Sequence, residues 1–355
     1  MKSDALAAAL LPFKLLTNKN ALSAAYSALE LAPDRISGAS SYAALDVAAD
    51  LGTDATFCVD AAALSAVVTS LPSGHDFNIR ADASAMFWEC GSAKGKLALV
   101  PVEDMPRNTP RRRSPKSFTP SSDFIRALKL GGMSCGGDSM ESAGIFGIVI
   151  AASDADTSIV YSCDNQTLAH CAAAGAWVQP GEDAVVLSPD AIELLTAVMG
   201  TAGRLECDAT TVYYTDAKAR CSVKMLAPLK KDLLGVKAHY DGGKMLPLPV
   251  ERIGAFIGRA NALAEDKKAV RVLVSAEEGR LILAFAETAS SSEEYYLIEG
   301  LVNPDKRVVS VDAGKLARGL AQATHISLDF LSKQNVTLSH EKTGFTYLIA
   351  GKRED

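Results

Sequence analysis

The spacing of apolar positions along the chain switches between about 3.6 residues and about 2, the periods of helix and strand, and the switches recur in one order three times. Residues 57–105, 185–229 and 308–353 each run through a short apolar strand, an Asp-led amphipathic helix and paired alternating strands. The openings are Cys58-Val59-Asp60-Ala61-Ala62-Ala63-Leu64, Leu187-Ser188-Pro189-Asp190-Ala191-Ile192-Glu193-Leu194 and Val309-Ser310-Val311-Asp312-Ala313-Gly314-Lys315-Leu316. After each helix comes Phe77-Asn78-Ile79-Arg80, Arg204-Leu205-Glu206-Cys207 or Ile326-Ser327-Leu328-Asp329, and then a further strand pair. A repeated supersecondary unit means one architecture used three times.

Each repeat also carries a helix near its start. Asp123 to Lys129 sets Phe124 and Leu128 one turn apart, with Arg126 and Lys129 on the other face. Glu251 to Leu263 buries a stripe of Ile253, Phe256, Ile257 and Ala260 and leaves Arg252 and Arg259 outside it. Asp4 to Leu16 is apolar and Ala-rich, and Pro12 should end or kink that helix near Leu11. Between helices, Val270–Val274, Arg280–Phe285 and Asn335–Ser339 alternate as half-buried antiparallel strands. Glu277-Glu278-Gly279 and Ala93-Lys94-Gly95 read as the hairpin loops, each with a glycine for a positive φ. Pro106–Pro120 and Gly235–Pro249 read as linkers, so the expectation is an α+β chain of three tandem domains over 1–110, 117–235 and 245–353.

The 355 residues, 48% of them hydrophobic, are enough to give three such domains a core each. A net charge of −6 argues against indiscriminate nucleic-acid binding but leaves room for a local basic surface. Seven cysteines without paired spacing read as reduced thiols of a cytoplasmic chain. Met1-Lys2-Ser3-Asp4 lacks the pattern of a signal peptide, and no uncharged stretch is long enough to span a membrane.

Two helices and a run of antiparallel strands, used three times, resemble the bacterial-type DNA sliding clamp, the beta subunit of DNA polymerase III. The resemblance covers nearly the whole chain and is sharpest at Val160-Tyr161-Ser162-Cys163-Asp164-Asn165-Gln166-Thr167-Leu168-Ala169. The family carries there an apolar strand, Thr-Asp-Gly, two polar residues and Leu-Ala. Asp164, Leu168 and Ala169 match, whereas Cys163, Asn165, Gln166 and Thr167 depart. Leu97 to Pro106 is similar to the strand and acidic-Pro turn that close the family's first domain. The departures mark a divergent member, cellular or viral.

The resemblance implies a clamp fold in which three repeats of two helices on antiparallel sheet assemble into a ring. Two chains would close head to tail as a homodimer around double-stranded DNA, without reading its sequence. The ring would tether a replicative DNA polymerase and would need a clamp loader to open it. No reaction, metal, nucleotide or organic cofactor is implied. The cations that would line the pore are Lys14, Lys19, Arg126, Lys129, Arg252, Arg259, Lys315 and Arg318. On residue types alone these would read as ordinary solvated helix faces. The helices beginning at Asp60 and Asp190 carry no Lys or Arg, so the positive lining would be patchy. The partner-peptide cleft would draw on Ile145, Cys163, Asn165, Gln166, Thr167, Leu168, Pro228, Leu233, Leu348, Ile349 and Ala350. The family's Met-Pro-Met-Arg-Leu type tail is replaced by Ala350-Gly351-Lys352-Arg353-Glu354-Asp355. Leu97 falls on one ring interface and Ala262 with Leu263 on the other, and the family's opening strand is scarcely visible in Met1-Lys2-Ser3.

Other chemistry is thin. The run Arg107–Lys116 is the densest basic patch and serves equally as a solvated linker or a contact for DNA or an acidic partner. Cys163-Asp164 with His170-Cys171 is the one close cluster of nucleophile and base, and the five histidines offer no second ligand pair at metal spacing. Gly131–Gly137 is glycine-rich but lacks the Lys-Ser/Thr ending of a phosphate loop, and Asp154 with Asp156 reads as a turn. The alternative function is a non-enzymatic structural or assembly protein built of three β-rich domains. The segregation of basic from apolar helix faces argues against that alternative.

Overall fold

The computed structural model describes residues 1–16, 24–101, 117–136, 144–178, 182–230, 232–235, 245–266, 270–277, 279–287, 290–301, 308–329 and 335–354. Lys19 and the basic run Arg107–Lys116 lie outside the described residues.

Along the chain come α1 (Ser3–Leu10), α2 (Phe13–Leu16), β1 (Ala28–Ala32), β2 (Arg35–Ala39), β3 (Ala43–Ala48), β4 (Phe57–Asp60), α3 (Ala61–Ser70), β5 (Phe77–Ala81), β6 (Ala85–Cys90) and β7 (Ala93–Val100). Next are α4 (Ser122–Gly131), β8 (Ile148–Asp154), β9 (Thr157–Cys163), β10 (Thr167–Ala174), β11 (Val185–Leu187), α5 (Pro189–Val198), β12 (Arg204–Cys207), β13 (Thr211–Thr215) and β14 (Ala219–Lys224). The short β15 (Leu246–Pro247) precedes α6 (Val250–Leu263), β16 (Arg271–Glu277), β17 (Arg280–Ala286), β18 (Ser291–Leu297), β19 (Val308–Asp312), α7 (Ala313–Leu320), β20 (His325–Asp329), β21 (Asn335–His340), β22 (Phe345–Ala350) and β23 (Lys352–Glu354). Helix, three strands, linking strand, helix, three strands is thus spelled out three times.

The chain divides into two compact units, Met1–Ile125 with Leu187–Leu226 and Arg126–Val186 with Ala227–Asp355. The first holds a ten-stranded sheet in the order β12-β13-β14-β3-β2-β1-β4-β7-β6-β5. The second holds an eight-stranded sheet, β11-β8-β9-β10-β22-β21-β20-β15, and a five-stranded sheet, β18-β17-β16-β19-β23. Two ladders carry the sheets on from repeat to repeat. In the first unit β14 pairs antiparallel with β3 from Ala219↔Val47 to Val223↔Ala43, and in the second β10 pairs with β22 from Thr167↔Ile349 to Cys171↔Phe345. These ladders are why the compact units cut across the threefold order of elements.

Local chemistry explains the helix ends. Pro12 cannot donate to the ladder of a continuing helix, and α1 stops at Leu10 before α2 resumes at Phe13. Asp60 caps α3 by accepting the Ala63 N–H at 2.8 Å, and Asp312 caps α7 by accepting the Lys315 N–H at 2.8 Å. The middle helix departs from the Asp-led reading. Ser188 is its cap, accepting the Ala191 N–H at 3.2 Å, Pro189 follows, and Asp190 sits in the first turn, where the helix dipole favours it. The stripe of α6 is Ile253, Phe256, Ile257 and Ala260, as the spacing predicts.

Two readings change. The turn expected at Ala93-Lys94-Gly95 falls instead at Gly91, whose φ is 61°, and Ala93–Gly95 belong to β7. Gly95 serves packing, because a Cβ there would lie 2.6 Å from the ring of its cross-strand partner Trp88. The opening strand survives as a single bridge, Lys2↔Asp76, with Phe77 donating its N–H to the Met1 carbonyl at 2.7 Å. Gly279, at φ 76°, does turn the β16–β17 hairpin. Asp154 accepts the Asp156 N–H at 2.9 Å in the turn between β8 and β9. No described helix is long and apolar enough to cross a membrane.

Candidate functional site

The cations expected on the helices meet different surroundings. With Phe124, Ala127 and Leu128 buried beneath α4, Lys129 is exposed and Arg126 half-buried. Lys14 is exposed on α2. Neither Lys14 nor Lys129 forms an ion pair among the described residues. Arg252 and Arg259 of α6 converge on one carboxylate, Glu294 of β18. Arg252 Nη2 lies 3.3 Å from Glu294 Oε1, and Arg259 Nη2 pairs with Oε2. The Arg252 guanidinium also lies over the Tyr296 ring, 5.1 Å from its centroid. Both arginines remain about half exposed or more, so Glu294 offsets their charge only in part.

Lys315 and Arg318 of α7 are engaged differently. Lys315 Nζ donates to Asp164 Oδ2 at 2.9 Å in a pair whose side chains keep 22% and 18% of their exposure. Arg318 Nη1 donates to the Met133 carbonyl at 3.1 Å. Asp164 Oδ1 accepts the N–H groups of Gln166 at 2.7 Å and Thr167 at 2.6 Å. Burial alone would raise the Asp164 carboxyl, but the Lys315 ammonium and those two N–H groups outweigh it and hold its pKa below the ordinary carboxylate value.

Five of the expected cleft residues form one apolar cluster: Ile145, Cys163, Leu168, Leu233 and Leu348, each no more than 7% exposed. The register explains the meeting. Leu168 stands opposite Cys163 on β9 and opposite Leu348 on β22, so all three point to one face. Thr167 and Ile349 oppose each other one step along and therefore face the other way, toward α7. On that face α7 approaches closely: a Cβ at Gly319 would lie 2.5 Å from Tyr347. Asn165 and Pro228 are exposed, Gln166 and Ala350 half-buried, and the Ala350 N–H donates to the Gln166 carbonyl at 2.7 Å. Two residues not foreseen, Tyr161 and Leu229, pack half-buried against the cluster. Period-two spacing from Cys163 would have found Tyr161. Asp232 accepts the N–H groups of Leu234 and Gly235, fixing the turn that carries Leu233. Burial, with the Asp232 charge behind it, pushes the Tyr161 phenol pKa up.

The residues expected at a ring interface lie beside strand edges that are unpaired among the described residues. β7 pairs with β6 along Ala93–Ala98 but meets β4 only at Leu99 and Val100, so its second edge is open upstream among the described residues. Leu97 is half-buried there. In the other unit β18 ends its sheet. Its Tyr295 and Leu297 are 59% and 77% exposed, and at the end of α6 Ala262 is exposed and Leu263 is 42% exposed. Ser290 Oγ ties that helix end to β18 by donating to the Leu263 carbonyl at 3.0 Å. A hollow of about 760 Å³ opens between Pro247, Leu248, Arg252, Tyr295 and Leu297.

Cys171 is buried in β10, its thiol 3.2 Å from the Thr343 carbonyl. Among the described residues no group of His, Cys, Asp and Glu has a metal-holding arrangement.

No family model and no curated protein sequence matches the chain. Solved structures do. The DNA polymerase III beta subunit of Thermotoga maritima superposes with a TM-score of 0.84 at 14% identity, covering 100% of this chain and 99% of that one. The DnaN sliding clamp (DNA polymerase III subunit beta) of Bartonella birtlesii, solved bound to griselimycin, gives 0.84 at 15% identity over 100% and 98%. The DNA polymerase III subunit beta of Pseudomonas aeruginosa gives 0.77 at 16% identity over 100% and 99%. The chain has the sliding-clamp fold from end to end.

Proposed function

We propose that this protein is a DNA sliding clamp: a non-enzymatic processivity factor, two copies of which close head to tail around duplex DNA and tether a replicative polymerase. The observation that carries the reading is the agreement of fold over the full length of both chains with DNA polymerase III beta subunits. A shared module would match in part. Here the whole architecture of three repeats, 1–110, 117–235 and 245–353 in this reading, is shared, and the use it supports is mechanical.

Such a protein works by topology. Its inner wall must attract phosphates without gripping bases, because base contacts would pin the ring. Lys14, Lys129 and Arg126 are the cations we assign to that wall, with Arg252 and Arg259 contributing what Glu294 leaves uncompensated. With a net charge of −6, attraction is confined to this patchy surface. The open edges of β7 and β18 fit head-to-tail closure, in which strands of two copies pair and Leu97, Leu263, Tyr295 and Leu297 lose their water. The cluster centred on Leu168 and Leu348 is the base of the partner-peptide cleft, with Asn165, Gln166, Pro228 and Ala350 at its rim. The reading needs a loader to open the ring, places the protein with the DNA in the cytoplasm, and requires no cofactor.

Protein dissociated by dilution and reassembled in the presence of a covalently closed DNA circle is expected to stay on the circle at about 0.5 M salt, where phosphate contacts alone fail. It should leave when a restriction enzyme cuts the circle once. Equal loss from cut and uncut circles at that salt would remove the ring and the function with it.

A further inference from the structure

Two cations of α7 sit three residues apart on one helix face, and each reaches a loop of the second repeat. Lys315 takes one oxygen of Asp164; the other oxygen holds the Gln166 and Thr167 N–H groups. Asp164 is therefore the pivot of a turn with three fixed points. That turn delivers the chain into β10, whose second residue is Leu168 at the centre of the apolar cluster. Its Gln166 carbonyl receives the Ala350 N–H at the end of β22, so the turn also sets the rim on the opposite strand. Arg318 fixes the loop after α4 at the Met133 carbonyl. The same loop is held to β9 from its other side: the Ser134 N–H donates to Ser162 Oγ at 3.2 Å, and that hydroxyl donates to the Gly131 carbonyl at 2.6 Å. A lysine four-fifths buried and committed to a carboxylate at 2.9 Å presents phosphate with a neutral pair rather than a free charge.

We infer that Lys315 is a positioning residue of the partner cleft and not a phosphate contact: from the helix whose exposed Arg318 holds the loop after α4, it pins the turn that leads into the strand bearing Leu168. The role of the cluster as a cleft rests on the proposed function; the pinning does not.

The test uses the full-length protein with Lys315→Met, Lys315→Arg and, as a comparison, Lys129→Met. Amide hydrogen exchange is followed at Gln166, Thr167, Leu168 and Ala350 as the pH is lowered. Because Lys315 holds the folded-state carboxyl of Asp164 low, the protection it supplies is fully present above the ordinary carboxylate pKa and is lost as pH falls through the lower folded value. Lys315→Met should speed exchange at these amides by about tenfold at neutral pH and move the pH of loss upward, while Lys315→Arg restores both. In the second arm, binding to a short DNA duplex is measured against salt. Lys315→Met should leave the slope of log affinity on log salt unchanged, whereas Lys129→Met should reduce it by about 1. Unchanged exchange in Lys315→Met, or a slope reduced by about 1, overturns the inference. The clamp reading fails separately, on equal loss of wild type from cut and uncut circles, and the exchange arm would still decide the pinning.

Discussion

Replacing Gly131 with alanine is expected to destabilise the protein by about 3 kcal/mol, a large loss for a single methyl group. Gly131 is the last residue of α4, where the helix end lies against β9. A Cβ there would sit 2.4 Å from the Val160 carbonyl oxygen and 2.7 Å from its carbon. Both are backbone atoms inside a ladder that pairs β9 with β8 and β10, so neither can swing aside as a side chain would. Gly254 and Gly258 of α6 have nothing within 4 Å of the same position, and alanine at either should raise stability by about 0.5–1 kcal/mol through the unfolded chain. Urea unfolding decides it. A Gly131→Ala midpoint equal to that of wild type would disprove the close approach, while a fall shared by Gly254→Ala would mean that glycine is needed for some other reason.

The double substitution Tyr295→Lys with Leu297→Lys should convert a dimer to folded monomers. Both side chains stand mostly in water on an unpaired edge strand, so the isolated chain loses little, and its thermal unfolding should match that of wild type diluted to monomers. On closure each would bury roughly 1.5–3 kcal/mol of apolar surface, so losing both weakens each interface by at least about two orders of magnitude. Lysine is also a residue that natural edge strands use to refuse pairing. Sedimentation of wild type and variant over the same concentration range measures the effect, and retention on the closed circle should vanish with the dimer. A variant that still sediments as a dimer would place the ring contacts elsewhere.

The threefold order was legible because each repeat announces its helices with caps and stripes and its strands with alternation. Asp60 and Asp312 cap as the pattern implies, and Ser188 displaced Asp190 because Pro189 fixed the first turn one residue earlier than the acid suggested. Gly95 misled because glycine has two uses, and here a tryptophan needed its space while Gly91 made the turn. The joins between repeats could not be read: nothing local in Ala219–Val223 names Ala43–Val47 as its neighbour. At the site, the fold gathers Leu168 and Leu348 of the expected cleft residues in one apolar cluster, whereas strict alternation sends Thr167 and Ile349 to the opposite face. The charges were hardest. Lys315 reads as a free cation until the fold brings Asp164 to it across 151 positions of sequence.

The ladder between β10 and β22 has a practical consequence for anyone dissecting this chain. A truncation after residue 235 would delete the partner of five consecutive registers of β10, and a piece beginning at 117 would leave β14 without β3 as well. Such a middle fragment, raw on two sides, would recruit its own copies and precipitate. The polypeptide is spelled in thirds but must be manufactured whole.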